Sequence, residues 1–171
     1  MNDRREQHFS VRQSVSARDR AAQLDLRYRV LREPLGMSRE QAVFARDDDP
    51  DTIHLLAVAD DTDALTRNIA IASARAYDHE GNPFVVGTAT MITHGPNDVQ
   101  LRGMATDATW AGRGVGKAVL EAAHQLAGSR SLWCDARISA HDFYARFGWV
   151  AEGETFDIPH VGPHTVMRYQ S

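Results

Sequence analysis

The chain has 171 residues, 43% hydrophobic and 25% charged, with a net charge of −4 from 19 basic and 23 acidic side chains. That composition is ordinary for a soluble globular protein, and the length suits one domain, read as 1–171, built around a single core. The acidic balance argues against a nucleic-acid partner, no uncharged apolar run approaches the roughly 18 residues of a membrane span, and a single cysteine, Cys134, excludes an internal disulfide.

The first residues, MNDRREQHFS, lack the apolar stretch of a secretory signal, so the chain reads as cytoplasmic. Residues 8–15 alternate weakly and predict a strand. Residues 17–32 predict a helix with Ala21, Leu24, Tyr28 and Leu31 on its buried face and arginines on the other. Pro34 and Gly36 end it. A short helix at most is expected in 38–52, before an acidic loop in which Asp47, Asp48 and Asp49 read as solvated charge. Strands follow at 53–59, 68–77, 84–92 and 99–106, with turns at DHEGNP and HGPND. The segment 61–82 reads as an insertion or a lengthened hairpin. A helix over 114–127 carries Val115, Val119, Ala122 and Leu126 as its apolar stripe and closes at Gly128. Then come a strand at 131–137, a short helix at 139–148 capped by Ser139 with Asp142 and ended by Gly148, and strands at 149–156 and 164–169. The fold class is therefore mixed α/β (α+β), with no repeats, low-complexity segment or linker.

The run WAGRGVGKAVLEAAH, 110–124, sets Gly112, Gly114 and Gly116 directly before a helix. Bare backbone lets a ligand approach closely. The first turn of a helix adds free N–H groups and partial positive charge, so the loop suits a phosphate or diphosphate, the alternative being a glycine-rich turn that only lets the helix pack on a strand. Arg113 and Lys117 reinforce it. Neither familiar nucleotide loop fits. A Walker A loop would need glycine at Ala111 and a hydroxyl at Ala118. A G-x-G-x-x-G count lands on Lys117 or on Val119.

MATDATWAGRGVGKAVL, 104–120, resembles motif A of the GNAT (GCN5-related) N-acetyltransferases, a strand followed by R/Q-x-x-G-x-G/A at a helix start. The departure is Ala111, where that family usually carries Arg or Gln. DARISAHDFYARFGWVAEGETF, 135–156, resembles motif B through Phe143, Tyr144, Gly148 and Trp149, with Arg137 in place of a frequent asparagine. FDIPHVGPHTVMRY is similar to the tail of the ElaA-like branch. The resemblance spans roughly 8–170. It implies a single, mostly antiparallel sheet flanked by helices and splayed between its central strands.

It also implies acetyl-CoA as co-substrate. The diphosphate would lie on the amides of Gly112, Arg113, Gly114, Val115, Gly116 and Lys117, and the pantetheine along Met104, Ala105 and Thr106. The thioester would enter the gap between 101–106 and 131–136. An amine of a small molecule or peptide would attack the acetyl carbon directly. An alkyl amine has a pKa near ~10.4 and must lose a proton, while the leaving thiolate must gain one. Tyr144 stands where relatives protonate the sulfur. Glu33, His54 and His160 are the candidates for acceptor contact or base, without a choice among them. A non-catalytic acyl-CoA-binding module is the alternative, and a nucleoside-triphosphate enzyme a remote one. Cys134 reads as core packing. The eight histidines show no ligand spacing, so no metal is expected. Trp110 either packs on the cofactor or covers the core. A homodimer is common in folds of this kind, and the oligomeric state stays open.

Overall fold

Ser16 starts the first helix. Its hydroxyl accepts the Asp19 N–H at 3.1 Å, supplying one of the bonds that a helix start lacks. The computed structural model describes residues 9–59 and 83–169. Among these residues are three α-helices, α1 (Ala17–Leu31), α2 (Val115–Ala127) and α3 (His141–Ala145). Seven strands form one sheet: β1 (Phe9–Gln13), β2 (Ile53–Ala59), β3 (Val85–Gly95), β4 (Asp98–Thr106), β5 (Ser131–Arg137), β6 (Val150–Ile158) and β7 (Gly162–Tyr169). Their order across the sheet is β1-β2-β3-β4-β5-β7-β6. Every pairing is antiparallel except β4 with β5. The expected mixed, mostly antiparallel sheet is what forms. The strand expected at 68–77 lies outside the described residues.

Boundaries moved where a strand ran into residues that favour turns. β3 continues through His94 to Gly95, and only Pro96 and Asn97 separate it from β4. β6 and β7 likewise extend towards each other, to Ile158 and Gly162. The short helix of 139–148 is split into a 3-10 turn over Ile138–Ala140 and α3. Ser139 falls inside that turn and makes no capping bond; Ala140 takes the cap position. Gly148 does close α3. At φ +82° its N–H reaches Ala145 O and the Trp149 N–H reaches Tyr144 O, the paired bonds of a Schellman motif.

α2 packs on the core side of β2, β3 and β4 through Val115, Val119, Leu120, Ala123 and Ala127. The stripe is rotated from the expected one: Ala122 and Leu126 are only half-buried. Burying side chains such as Val119 and Leu120 stabilises by about 1.5–3 kcal/mol each. Gly87 on β3 makes the close approach possible, because a Cβ there would strike Val115.

α1 departs further from its sequence reading. Its buried residues are Asp19, Gln23, Leu26 and Arg27, and Ala21 is exposed. The side facing the sheet is polar. Gln23 donates to Thr88 at 2.8 Å, and Arg27 donates to Thr90 at 2.5 Å, to Ala42 O at 2.9 Å and to Asp47 at 2.6 Å. Arg27 has no exposed surface. Asp47 is therefore half of a buried ion pair, not solvated charge, whereas the Asp48 side chain is 95% exposed. An apolar-periodicity reading misses this face because three of its four buried members are polar, with Gln23 and Arg27 bonded to β3 and to the loop over 42–47.

Candidate active site

β4 and β5 pair for three residues only, from Asp98 with Ser131 to Gln100 with Trp133. Asp98 clasps that end: it accepts from Trp133 Nε1 at 2.9 Å and from Arg168 at 3.2 Å. Beyond Gln100 the two strands part. β4 also bulges there. Thr88 faces Ala105 and Thr90 faces Arg102, so Gly103 and Met104 together oppose Ala89. Gly103 has φ +57°, and a Cβ on it would stand 2.7 Å from the Phe44 ring and 2.8 Å from Arg27 Nε. The position requires glycine on both counts. The parted strands open a cleft of about 280 Å³, walled by β4, the end of β5, Arg32 after α1, Tyr144 and His164.

At the other end of β4 the chain turns into α2. Asp107 accepts from the Thr109 N–H and hydroxyl and pairs with Arg29 at 3.1 Å, which anchors the turn. Trp110 is buried against Phe9, edge to face at 6.2 Å, so it covers the core; Arg113 lies over its ring at 4.9 Å. Gly112 and Gly114 take φ +75° and +84°. The backbone amides of Gly112, Gly114, Val115, Gly116 and Lys117 donate to no group among the described residues. The Arg113 amide differs: it reaches Trp110 O at 3.3 Å. A Cβ on Gly112 or Gly114 would meet nothing within 4 Å, so the loop faces open space. A Cβ on Gly116 would lie 3.5 Å from the Phe143 ring and from Thr106 Oγ1, so here the chain runs beside the end of β4 and α3. Lys117 pairs with Glu121 at 3.7 Å on the surface, a contact of little energy. Open amides at a helix start are an arrangement that suits an anion.

Tyr144 lines the cleft from α3, in edge contact with Phe143 at 5.2 Å. Its hydroxyl lies 3.6 Å from Met104 Sδ and contacts the Cys134 thiol. Burial pushes the Tyr144 phenol well above its ordinary value and the Cys134 thiol up to about 12. Both stay protonated at neutral pH.

The three acceptor-side candidates separate. Glu33 is exposed on the 3-10 turn after α1, beside cleft-lining Arg32. His160 is exposed at φ +64° in the β6–β7 turn, between Ile158 and Val161 of the lining. His54 is buried under α1: Nδ1 bonds Thr90 at 2.9 Å and Nε2 bonds Asp47 O at 2.8 Å. It belongs to the α1 network and is absent from the cleft lining. The sequence reading missed His164, Asp135, Arg32 and Arg102, all in the lining, and noted Arg137 only as a departure from a motif. They come from four separate elements and carry no spacing signal. Among the described residues no group of three or more His, Cys, Asp or Glu side chains is placed to hold a metal ion, and no helix is long and apolar enough to cross a membrane.

Residues 74–151 match the model of the acetyltransferase (GNAT) domain. YitI of Bacillus subtilis strain 168, an uncharacterised N-acetyltransferase, is 30% identical over 146 residues, covering 84% of this chain and 86% of YitI. The chain belongs to the GNAT superfamily of N-acetyltransferases. Solved structures agree on the fold. Escherichia coli ElaA superposes with a TM-score of 0.64 at 16% identity, covering 95% of this chain and 99% of ElaA. An aminoglycoside 6′-N-acetyltransferase complexed with coenzyme A gives 0.64 at 12% identity, over 94% and 96%.

Proposed function

We propose that this protein is an acetyl-CoA-dependent N-acetyltransferase that acetylates a small primary amine by direct attack. One observation supports the reading above others: a cradle of five open amides lies at one end of β4, and a cleft holding a protonated phenol lies along the same strand.

The amides of Gly112, Gly114, Val115, Gly116 and Lys117 would hold the diphosphate, with Arg113 adding charge. Met104, Ala105 and Thr106 offer the strand along which an extended pantetheine arm would run, as an added strand does. Bound acetyl-CoA supplies an acyl carbon activated by its thioester. The residues then divide the proton work. Tyr144, kept neutral by burial, donates to the leaving sulfur. His164 suits the opposite task. Its Nδ1–H donates to Gly162 O at 2.7 Å, which fixes the tautomer and leaves Nε2 free to accept a proton from the amine. Cys134 is held as a thiol, which disfavours an acyl-cysteine intermediate and favours direct transfer. Glu33 and His160 flank the mouth as acceptor contacts.

Calorimetry with coenzyme A, followed by thiol release from acetyl-CoA across a panel of amines, tests this. Micromolar binding with amine-dependent thiol release is expected. Binding without turnover on any amine would leave a non-catalytic acyl-CoA module, and binding of ATP in preference to coenzyme A would overturn the reading.

A further inference from the structure

Three guanidiniums meet in the wall of the cleft: Arg32 after α1, Arg102 on β4 and Arg137 at the end of β5. None has a carboxylate within ion-pair distance among the described residues. Of the eleven other described arginines, Arg12, Arg20, Arg27, Arg29, Arg39, Arg46 and Arg168 each face an aspartate or glutamate within 4.0 Å, while Arg18, Arg113, Arg130 and Arg146 do not but lie outside the cleft lining. What the three do touch is neutral. Arg32 donates to Gln41 O at 2.9 Å and Leu31 O at 3.2 Å, and Arg137 to Leu31 O at 3.4 Å. Arg102 stacks 4.5 Å over Phe44, whose ring Arg32 also approaches at 5.4 Å. All three are half-buried, and burial together with repulsion from Arg137 and Arg102 lowers the Arg32 pKa. Like charges are held together here in a chain whose overall charge is −4.

One carboxylate, Asp135, lines the same cleft, and it accepts only a long bond of 3.4 Å from Gln100. Three positive groups against one negative group repel an acceptor that brings only positive charge. They suit one that brings an anion with its amine. Planar guanidiniums recognise an oxyanion of carboxylate geometry well. At about 280 Å³ the cleft must also admit the thioester end, so the acceptor is of amino-acid size.

We infer that the acceptor is a small amine bearing a carboxylate, an amino acid, with the carboxylate held by Arg32, Arg102 and Arg137 and the amine directed towards Asp135. The inference rests on the acetyl-transfer reading of the same cleft.

The test is thiol release from acetyl-CoA with L-amino acids, each beside its α-carboxamide and its decarboxylated amine, with phosphoethanolamine and spermidine added. At least one amino acid should exceed its carboxamide about tenfold in kcat/KM. The Arg102→Gln/Arg137→Gln double variant should bring that ratio towards one, mainly through KM, with coenzyme A affinity unchanged. Since neither arginine is in an ion pair, the variant should melt within a few degrees of the parent. Equal or better turnover of the carboxamides or of spermidine would overturn the inference. Preference for phosphoethanolamine over every amino acid would overturn the carboxylate, and weakened coenzyme A binding in the variant would move the arginines to the donor site. If no amine turns over, melting in saturating coenzyme A with N-acetyl amino acids against their amides decides: no carboxylate-dependent rise overturns it. Failure of the parent chain to bind coenzyme A would instead remove the acetyl-transfer reading, and this inference with it.

Discussion

Gly114→Ala isolates the anion cradle from the fold. Gly114 has φ +84° and ψ 5°, and a Cβ added there meets no atom within 4 Å. The fold therefore loses only the cost of placing alanine in the left-handed region, about 1–2 kcal/mol. For a chain of this size that is a drop in Tm of roughly 2–8 °C. The new methyl group points into the space where a diphosphate would approach. Displacing one charge-assisted hydrogen bond costs about 1.5–3 kcal/mol, or roughly 10- to 100-fold in Kd. Gly36 supplies the control. It has φ +67° and ψ 18°, also has open space around an added Cβ, and lies outside the glycine loop. Gly36→Ala should lower Tm by a similar amount and leave coenzyme A affinity unchanged. Isothermal titration calorimetry of both variants, with matched melting curves, reads the difference. A folded Gly114→Ala protein binding coenzyme A as tightly as the parent would refute the cradle.

Tyr144→Phe should lower kcat by about 100-fold or more while coenzyme A affinity holds; a loss below threefold in steady-state kinetics would remove the phenol as proton donor. Arg27→Met leaves buried Asp47 with only the Phe44 N–H and the long 3.8 Å contact of Arg20, at up to about 3–5 kcal/mol and therefore roughly 6–20 °C in Tm; a shift under 2 °C by calorimetry would contradict the buried ion pair. Burial lowers the pKa of both His54 and His124, and Trp149 Nε1–H donates to His124 Nε2 at 2.9 Å. Folding thus favours the neutral rings, so stability is present above their ordinary pKa of about 6.5 and falls as pH drops below it. Tm should decline between pH 7 and pH 5, and a flat profile would refute the assignment. The Arg12 hydrogen bond pulls Asp19 down to about 2, so that pair persists across the whole window and is lost only as pH falls below about 4 towards 2.

Where local chemistry decides structure, the sequence reading was close. Glycines at 114, 128 and 148 mark helix ends because glycine adopts at little cost the positive φ those ends take. The glycine loop could be read because free amides and open space follow from glycine placement alone. α1 could not be read correctly, because Arg27 is buried by partners 15 to 63 positions away. The same holds for the cleft. His164 and the three arginines come from separate elements and meet where β4 and β5 part, beside the Gly103 bulge and beyond the Asp98 clasp. His54 illustrates the opposite failure: a histidine at a strand start looks reactive until both ring nitrogens are found engaged.

Arg27 touches more than the ion pair it serves. Its guanidinium holds the 42–47 loop through Ala42 O and Asp47, and its Nε stands against Gly103 where β4 bends. One fastener thus joins the segment that shapes the acceptor wall to the strand proposed to carry the acyl donor. Grafting a foreign 38–52 loop onto this scaffold to recruit another amine would leave that fastener half-undone. Retuned specificity would then come with a displaced donor strand, unless Asp47 and Phe44 travelled with the graft.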